Sequence, residues 1–428
     1  MRRLLVALPW ALVAAPVSAG GFYLQEQSPL GLGRAFAGEA AAATDASTVF
    51  FNPAGMARLP GSSITGGVHA LFVQSAQADR GSTRTVPGLA TPIPTGGGNG
   101  GNPFDNPVLV PAAYGAFRVN DGPLWFGIGV SSPFGLKVVY DPNWFGRYDS
   151  IRSDLKTINI QPSVAYALSD RLSIGAGFDI QTIDAELTNA LPNLSPLLPD
   201  GLLRLKGDDL SFGWNAGVLA DLGTVRVGAH YRSRIEHNLG GRLTISGLLG
   251  PLAAANSTRF ARAPITTPDI ATVSAVVGAD RPLRFLASAN WYNWSVFDRI
   301  EVRPVGGATT VSEQNYKDTW GVHGAVEYDV SPSLTLRAGT AYDKTPTRDA
   351  FRTTRVPDGD RTWATAGATL RWRNLEANLS YAHVFVTKEP IDRTDPLFIG
   401  TPALTTVRTV SQNSGHVNAV ALSVAARF

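Results

Sequence analysis

The side chains that could carry chemistry in this chain are few and scattered. No cysteine is present, which removes disulfides, thiolate metal sites and cysteine nucleophiles together. Of the six histidines, His230 and His323 fall on the polar phase of alternating segments, but no spacing marks a catalytic triad or a metal site. The other candidates are ionic. Lys317, Arg337 and Asp343 occupy the polar phase of neighbouring segments, and Arg226, Arg232 and Arg234 share that of another. A cation held inside a protein pairs with a carboxylate, either a ligand's or the protein's own. These groups therefore read as anchors for an acidic ligand or as internal ion pairs, Arg337 with Asp343 among them. Binding is expected here rather than bond-making, with no enzyme activity, no cofactor and no metal.

Such groups need a scaffold with one polar and one apolar face. Leu172, Ile174, Ala176, Phe178 and Ile180 are apolar, whereas Ser173, Gly175, Gly177, Asp179 and Gln181 between them are small or polar. Strand side chains switch faces at every residue, so this run predicts one greasy and one polar face. Ile158, Ile160, Val164 and Tyr166 repeat the pattern against Asn159, Gln161 and Ser163. So do Val225, Val227 and Tyr231 against Arg226, His230 and Arg232. These runs exceed the roughly 5–6 residues of an ordinary strand and carry aromatics near their ends, as lipid-facing strands require. Short connections such as Asn120-Asp121-Gly122, Ser169-Asp170 and Arg373-Asn374 alternate with long ones near 79–106, 138–153, 190–208, 245–267, 304–314, 345–359 and 390–412. The pattern predicts an all-β fold, a transmembrane antiparallel up-and-down β-barrel of about fourteen strands. Its last strand, through Val420, Leu422 and Val424, stops on the aromatic Phe428.

Targeting and charge agree. Residues 1–19, MRRLLVALPWALVAAPVSA, have the basic start, apolar middle and small-residue end of a secretory signal peptide. No later stretch has 18 consecutive apolar residues, so no membrane-spanning helix is expected. The formal charge is only +3, and Arg2 and Arg3 of the signal supply much of it, so the pI near 9.1 gives no reason to expect nucleic acid. The chain is expected in the outer membrane of a Gram-negative bacterium, as a monomer in contact with membrane lipid and lipopolysaccharide.

The barrel is assigned to residues 62–428, and residues 20–61 to a hatch inside it. Gly31–Leu59 does not alternate, is dense in alanine, and is interrupted by Asn52-Pro53-Ala54-Gly55. Proline lacks a ladder donor, so this is no wall strand, and Phe36, Val49, Phe50, Phe51 and Met56 give it apolar surface to bury. In the third strand, Ser131-Ser132-Pro133-Phe134-Gly135 either kinks the wall and opens it or marks the strand's upper end. Two outer loops are greasy: Leu194, Leu197, Leu198 and Leu202 in one, Leu248 and Leu249 in the other. Clustered apolar residues on loops read as walls of a binding groove, or as loops packed on each other.

In order along the chain, GLGRAFAGEAA at 31–41, FNPAGM at 51–56, SSPFGL at 131–136, WFGRYDS at 144–150, YRSRIEH at 231–237, WYNWSVFD at 291–298, YKDTW at 316–320, LRAGTAYDKTP at 336–346 and PDGDRTW at 357–363 resemble the FadL-type outer-membrane transporters of long-chain fatty acids and hydrophobic compounds. The resemblance implies a fourteen-stranded barrel with an N-terminal hatch, an inward kink in the third strand and ligand capture among the outer loops. It places Asn52, Pro53 and Ala54 in the hatch motif, Pro133, Phe134 and Gly135 at the kink, and Phe22 near an internal pocket. Lys317, Arg337 and Asp343 are further pocket candidates. The function expected is passive uptake of long-chain fatty acids. The alternatives are aromatic hydrocarbons by the same route and, more remotely, a porin for polar solutes.

Overall fold

The computed structural model describes residues 20–428, so the expected signal peptide lies outside the described residues. Fourteen antiparallel wall strands close on themselves. They are β1 Ser63–Asp79, β2 Val108–Arg118, β3 Leu124–Ser131 with Gly135–Val139, β4 Arg152–Ala167, β5 Leu172–Leu191, β6 Gly201–Asp221 and β7 Val225–Arg232 with Glu236–Ser246. The circuit continues with β8 Ser257–Thr266 and Ile270–Val277, β9 Leu283–Tyr292 and Arg299–Pro304, β10 Thr310–Glu313 and Thr319–Ser331, β11 Leu334–Asp343, β12 Arg361–Trp372, β13 Leu375–Leu397 and β14 Thr405–Arg427. Closure comes from β1 against β14, in register from Ser63 opposite Arg427 to Asp79 opposite Ser411. A closed sheet leaves no unpaired edge, which is what a strand needs in hydrocarbon.

The burial pattern of a water-soluble protein is inverted. Ile174 and Phe178 on β5 are 45% and 48% exposed, whereas Ser173, Asp179 and Gln181 on the opposite phase are at most 1% exposed. Phe178 stacks on Phe212 of β6 on the outer face, with ring centroids 5.6 Å apart. An apolar exterior around a polar interior is stable only when the surrounding solvent is itself apolar. At the short-turn end, Asn120 and Asp121 take left-handed φ values of 47° and 52°, which these two residue types tolerate best outside glycine.

The outer end differs from the sequence expectation. The connection expected over 390–412 is mostly ladder: β13 and β14 stay paired up to Leu397 opposite Thr405. There the outward face carries polar residues such as Asp392, Thr394 and Arg408, so the apolar period that marks a strand in sequence is lost although the ladder continues. Breaks at Ser233–Ile235, Thr267–Asp269 and Asn293–Asp298 also divide β7, β8 and β9 into two pieces each.

Residues 20–59 lie inside the wall and are almost wholly buried. They fold as three single-turn helices, α1 Pro29–Leu32, α2 Glu39–Ala42 and α3 Thr48–Phe51, followed by a 3-10 turn over Pro53–Arg58. Ser28 caps α1, its Oγ accepting from Gly31 N at 3.0 Å, and Pro29 opens the helix where a missing N–H costs nothing.

Candidate functional site

Asn52 shows how the inner segment is joined to the wall. Its Oδ1 accepts from Ala54 N at 3.1 Å and caps the 3-10 turn. Its Nδ2 donates to Ala40 O at 2.6 Å and to Val218 O on β6 at 3.1 Å. One amide thus ties two parts of the inner segment to a strand. Pro53 starts the turn, and Ala54 is fully buried, its carbonyl accepting from Ser173 Oγ at 2.9 Å. The wall yields space there. Gly175 of β5 lies opposite Gly217 of β6. A Cβ at Gly175 would overlap the Ala54 amide, and one at Gly217 would overlap Asn52 Oδ1.

Around this turn the polar lumen grips the inner segment through charge. Arg34, 2% exposed, pairs with Glu39 at 3.0 Å and with Glu327 of β10 at 3.3 Å. Glu327 also holds Arg337 of β11 at 3.1 Å and Arg284 of β9 at 3.3 Å. Arg232 of β7 pairs with Asp179 of β5, and its Nη2 donates to Phe50 O at 3.0 Å. Arg226 pairs with Asp221 at 2.7 Å, and its Nη1 donates to Ala42 O at 2.9 Å. His323 Nδ1 lies 2.7 Å from Ala35 O. Most of the lumen cations singled out in sequence therefore hold the inner segment or its ion pairs.

The expected pair of Arg337 with Asp343 does not form. The two share one strand and phase, roughly 20 Å apart along it at the usual rise. Arg337 pairs instead with the residue directly across the ladder, Glu327. Asp343 accepts from Trp363 Nε1 at 2.8 Å and from Gln25 Nε2 at 3.4 Å. Lys317 lies in the break of β10 rather than on a paired stretch, because Asn315 turns left-handed at φ 47° and pairing resumes only at Thr319. Arg234 likewise sits in the break of β7, paired with Asp269 at 2.8 Å.

Pro133 marks a break in β3, not its upper end. Below the break, β3 pairs with β2 from Ala113 opposite Val130 to Arg118 opposite Trp125. Above it, Gly135–Val139 pairs with β4 alone, so Val108–Ala112 of β2 have no β3 partner. The freed backbone turns inward and finds the N-terminus. Leu24 N donates to Pro133 O and Gly135 N to Phe22 O, each at 2.8 Å. Thr157 Oγ1 accepts from Phe134 N at 3.0 Å, and Gln27 Nε2 donates to Ser132 O at 2.9 Å. Phe22 then lies in a cage of rings, 4.8 Å from Trp294, 5.2 Å from Phe297 and 6.0 Å from Phe134. Four residues on, Glu26 is buried with one carboxylate oxygen unpartnered, and burial pushes its pKa up to about 7.

Above the cage the lumen turns apolar, a feature the sequence reading missed. Phe22 and Phe134 belong to one packed cluster with Leu136, Leu155, Ile183 and Leu239. It borders a cavity of about 40 Å³ lined by Ala185, Leu187, Leu205, Leu239, Ile265 and Ile300, together with Lys206 as its one charged residue. The available signal was that the phase carrying Asp179 and Gln181 in the lower half of β5 turns apolar above, at Ile183, Ala185 and Leu187. Among the outer-loop leucines, Leu194 and Leu248 come together with Leu191, Leu252 and Ala403. Leu197 is 94% exposed, and Leu198, Leu202 and Leu249 are exposed outside that cluster. The two loops pack on each other, with Leu249 N donating to Asn193 Oδ1 at 2.8 Å.

A plugged barrel with a broken third strand is a specific arrangement, and both its sequence and its fold match known proteins. The profile of the family described as outer membrane protein transport protein (OMPP1/FadL/TodX) matches residues 10–428. The chain belongs to this family. It is 26% identical to the long-chain fatty acid transport protein of Escherichia coli O6:H1, over 88% of this chain and 90% of that one. It is 30% identical to the 47 kDa outer membrane protein of Pasteurella multocida, over 89% of this chain and 90% of the relative. The solved Pseudomonas aeruginosa FadL homologue superposes with a TM-score of 0.84 at 25% identity, covering 95% of this chain and all of that one. The fold is shared with the Ralstonia pickettii toluene transporter TbuX, at a TM-score of 0.63 and 19% identity over 94% of this chain and 98% of that one. As a member, this protein is an outer-membrane transporter of hydrophobic molecules.

Proposed function

We propose that the protein takes up long-chain fatty acids by passive diffusion, through the apolar upper lumen and out sideways at the break in β3. The observation that carries this reading is the lost pairing between β2 and β3 above Ser131, filled from inside by Phe22–Leu24. Each buried methylene favours an apolar site over water by about 0.8 kcal/mol. An acyl chain therefore gains little from a water-filled pore and much from an apolar channel that opens onto lipid. On this reading Asn52, Pro53 and Ala54 keep the hatch shut, and Pro133, Phe134 and Gly135 form the side exit. Leu194 and Leu248 belong to the loop pair where ligand first lands. The likeness to the long-chain fatty acid transport protein of Escherichia coli supports the substrate class. Monoaromatic hydrocarbons are the second reading, favoured by the ring cage around Phe22.

The test is uptake of labelled oleate and labelled toluene by cells lacking their own transporter. Wild type is compared with a chain whose Pro133-Phe134-Gly135 is replaced by Val-Thr-Val. Oleate uptake that collapses in the folded, straightened variant supports sideways exit. Entry of toluene alone replaces the substrate class, and unchanged oleate uptake removes the side exit.

A further inference from the structure

The loop over 344–360, between β11 and β12, holds a half-buried cation, Arg355, that is placed differently from the buried cations around it. Arg352 pairs with Asp349 at 2.7 Å, Arg361 pairs with Asp358, and Arg393 pairs with Asp395 at 2.8 Å. Arg355 has no carboxylate within ion-pair distance among the described residues. Its contacts are long and neutral: Nη1 to Ser153 Oγ at 3.4 Å and Nη2 to Asn189 Oδ1 at 3.2 Å. Burial pushes its pKa down, and the charge of Asp149 pushes it back. Asp149 is itself engaged, accepting from Thr354 N at 2.7 Å. A guanidinium stays charged in a protein, so a partly buried one without an anion lacks a partner.

The position is fixed. Thr354 O accepts from Tyr140 OH at 2.9 Å, and Val356 packs into the main apolar cluster. Arg355 is thus held from both sides and cannot readily swing out to solvent. The same placement brings it to the rim of the apolar cavity. Ser153 lies directly opposite Leu187 in the β4–β5 ladder, and Leu187 lines that cavity. Asn189 is the next residue of the same phase. A cation lacking its anion therefore stands over an apolar hollow, and the hollow's lining continues through Leu239 into the cluster that holds Phe22.

We propose that Arg355 binds the carboxylate of the incoming fatty acid at the outer end of the lumen, with the first methylenes in the cavity beneath it. This rests on the function proposed above. A carboxylate can take two parallel N–H bonds from the guanidinium in place of the two long neutral contacts. Because the anchor reads the acid group and the cavity reads the chain, this subsite separates a fatty acid from a hydrocarbon.

The experiment measures binding of oleate and of oleyl alcohol, the neutral molecule of equal chain length, to the purified full-length protein in lipid nanodiscs. Wild type is compared with Arg355→Gln, Arg355→Lys and, as a control, Arg348→Gln, which removes an exposed loop cation bonded to Asn315 O. Arg355→Gln is expected to weaken oleate at least tenfold while oleyl alcohol stays within twofold, with Arg355→Lys between wild type and Gln. The proposal is overturned if both ligands weaken equally, or if oleate is unaffected. If wild type binds neither ligand, the proposed function itself fails. Heat-modifiable migration on gels checks that each variant is a folded barrel, and Arg355→Lys keeps the test valid if the Gln variant is not.

Discussion

At the short-turn end of the lumen, residues 34–58 meet the wall through Arg34, Arg226, Arg232 and the paired glycines at 175 and 217. At the loop end, Phe22–Leu24 meet it through aromatic rings and two backbone hydrogen bonds to the β3 break. These are different kinds of attachment. A buried ion pair fixes geometry, because moving one partner strands the other without its counter-charge. Ring contacts are non-directional, and another apolar body can replace them at little net cost. The upper attachment can therefore yield to a greasy ligand while the lower one stays closed. On the proposed route, this favours passage sideways above the hatch over passage through it.

The contrast can be broken most severely at Glu327. Glu327→Gln leaves Arg34, Arg284 and Arg337 without their shared carboxylate, at a cost of about 3–5 kcal/mol. A lowered denaturation midpoint together with leakage of a labelled sugar from liposomes is expected. A variant as tight as wild type would show that the ion pairs do not hold the hatch. Phe22→Ala removes a ring from the upper cage, at about 3 kcal/mol of local packing. It should loosen the N-terminus in hydrogen exchange without any sugar leak, and a leak would erase the distinction between the two ends.

A smaller effect is expected from Asn52→Ala, which loses the turn cap and two donor bonds, about 1–2 kcal/mol. It should show as faster exchange at Ala54 and Gly55 only. Glu26 sharpens the comparison by pH. Burial raises its carboxyl from the ordinary 4.5 to about 7, so the folded state holds the proton more tightly than the unfolded chain does. Packing around it is at full strength below about 4.5 and weakens as pH rises through about 7. Exchange protection of residues 22–28 should fall between pH 5 and pH 8 in wild type and stay flat in Glu26→Gln. The smallest change is Leu197→Ser on the exposed loop tip, within about 0.5 kcal/mol of wild type. A larger loss of oleate uptake there would assign that loop a direct part in capture.

The wall was legible in the sequence because each lipid-facing strand carries its own record. Ile174 and Phe178 alternate with Ser173 and Asp179 whatever their neighbours do. The lumen was legible only in part, because its contacts are made across strands. Arg337 meets Glu327 through a register that neither strand encodes alone, and its pairing with Asp343 was excluded by distance along the strand. The apolar cavity draws on β5, β6, β7, β8 and β9, one to four residues from each. Arg355 gave no local signal, since what marks it is a missing partner that only the assembled barrel defines. Pro133 announced a break, but its second half, the pairing of the freed backbone with Phe22 and Leu24, depends on residues more than a hundred positions earlier.

The seam between β1 and β14 sets the order of assembly. Its seventeen paired positions join the start of the wall to the final residues of the chain, Ser63 to Arg427 and Asp79 to Ser411. Contacts this distant in sequence form late, because the closure entropy must be met before they return any energy. Until then β1 presents an open edge, and the hatch, made first, has no complete vessel to sit in. Arg34 must wait for Glu327, and Asn52 for Val218, before either has its partner. A chain cut short before β14 would keep every hatch residue and most of the wall. It would still fail to become a vessel, because the last-made strand is the one that shuts the first-made segment in.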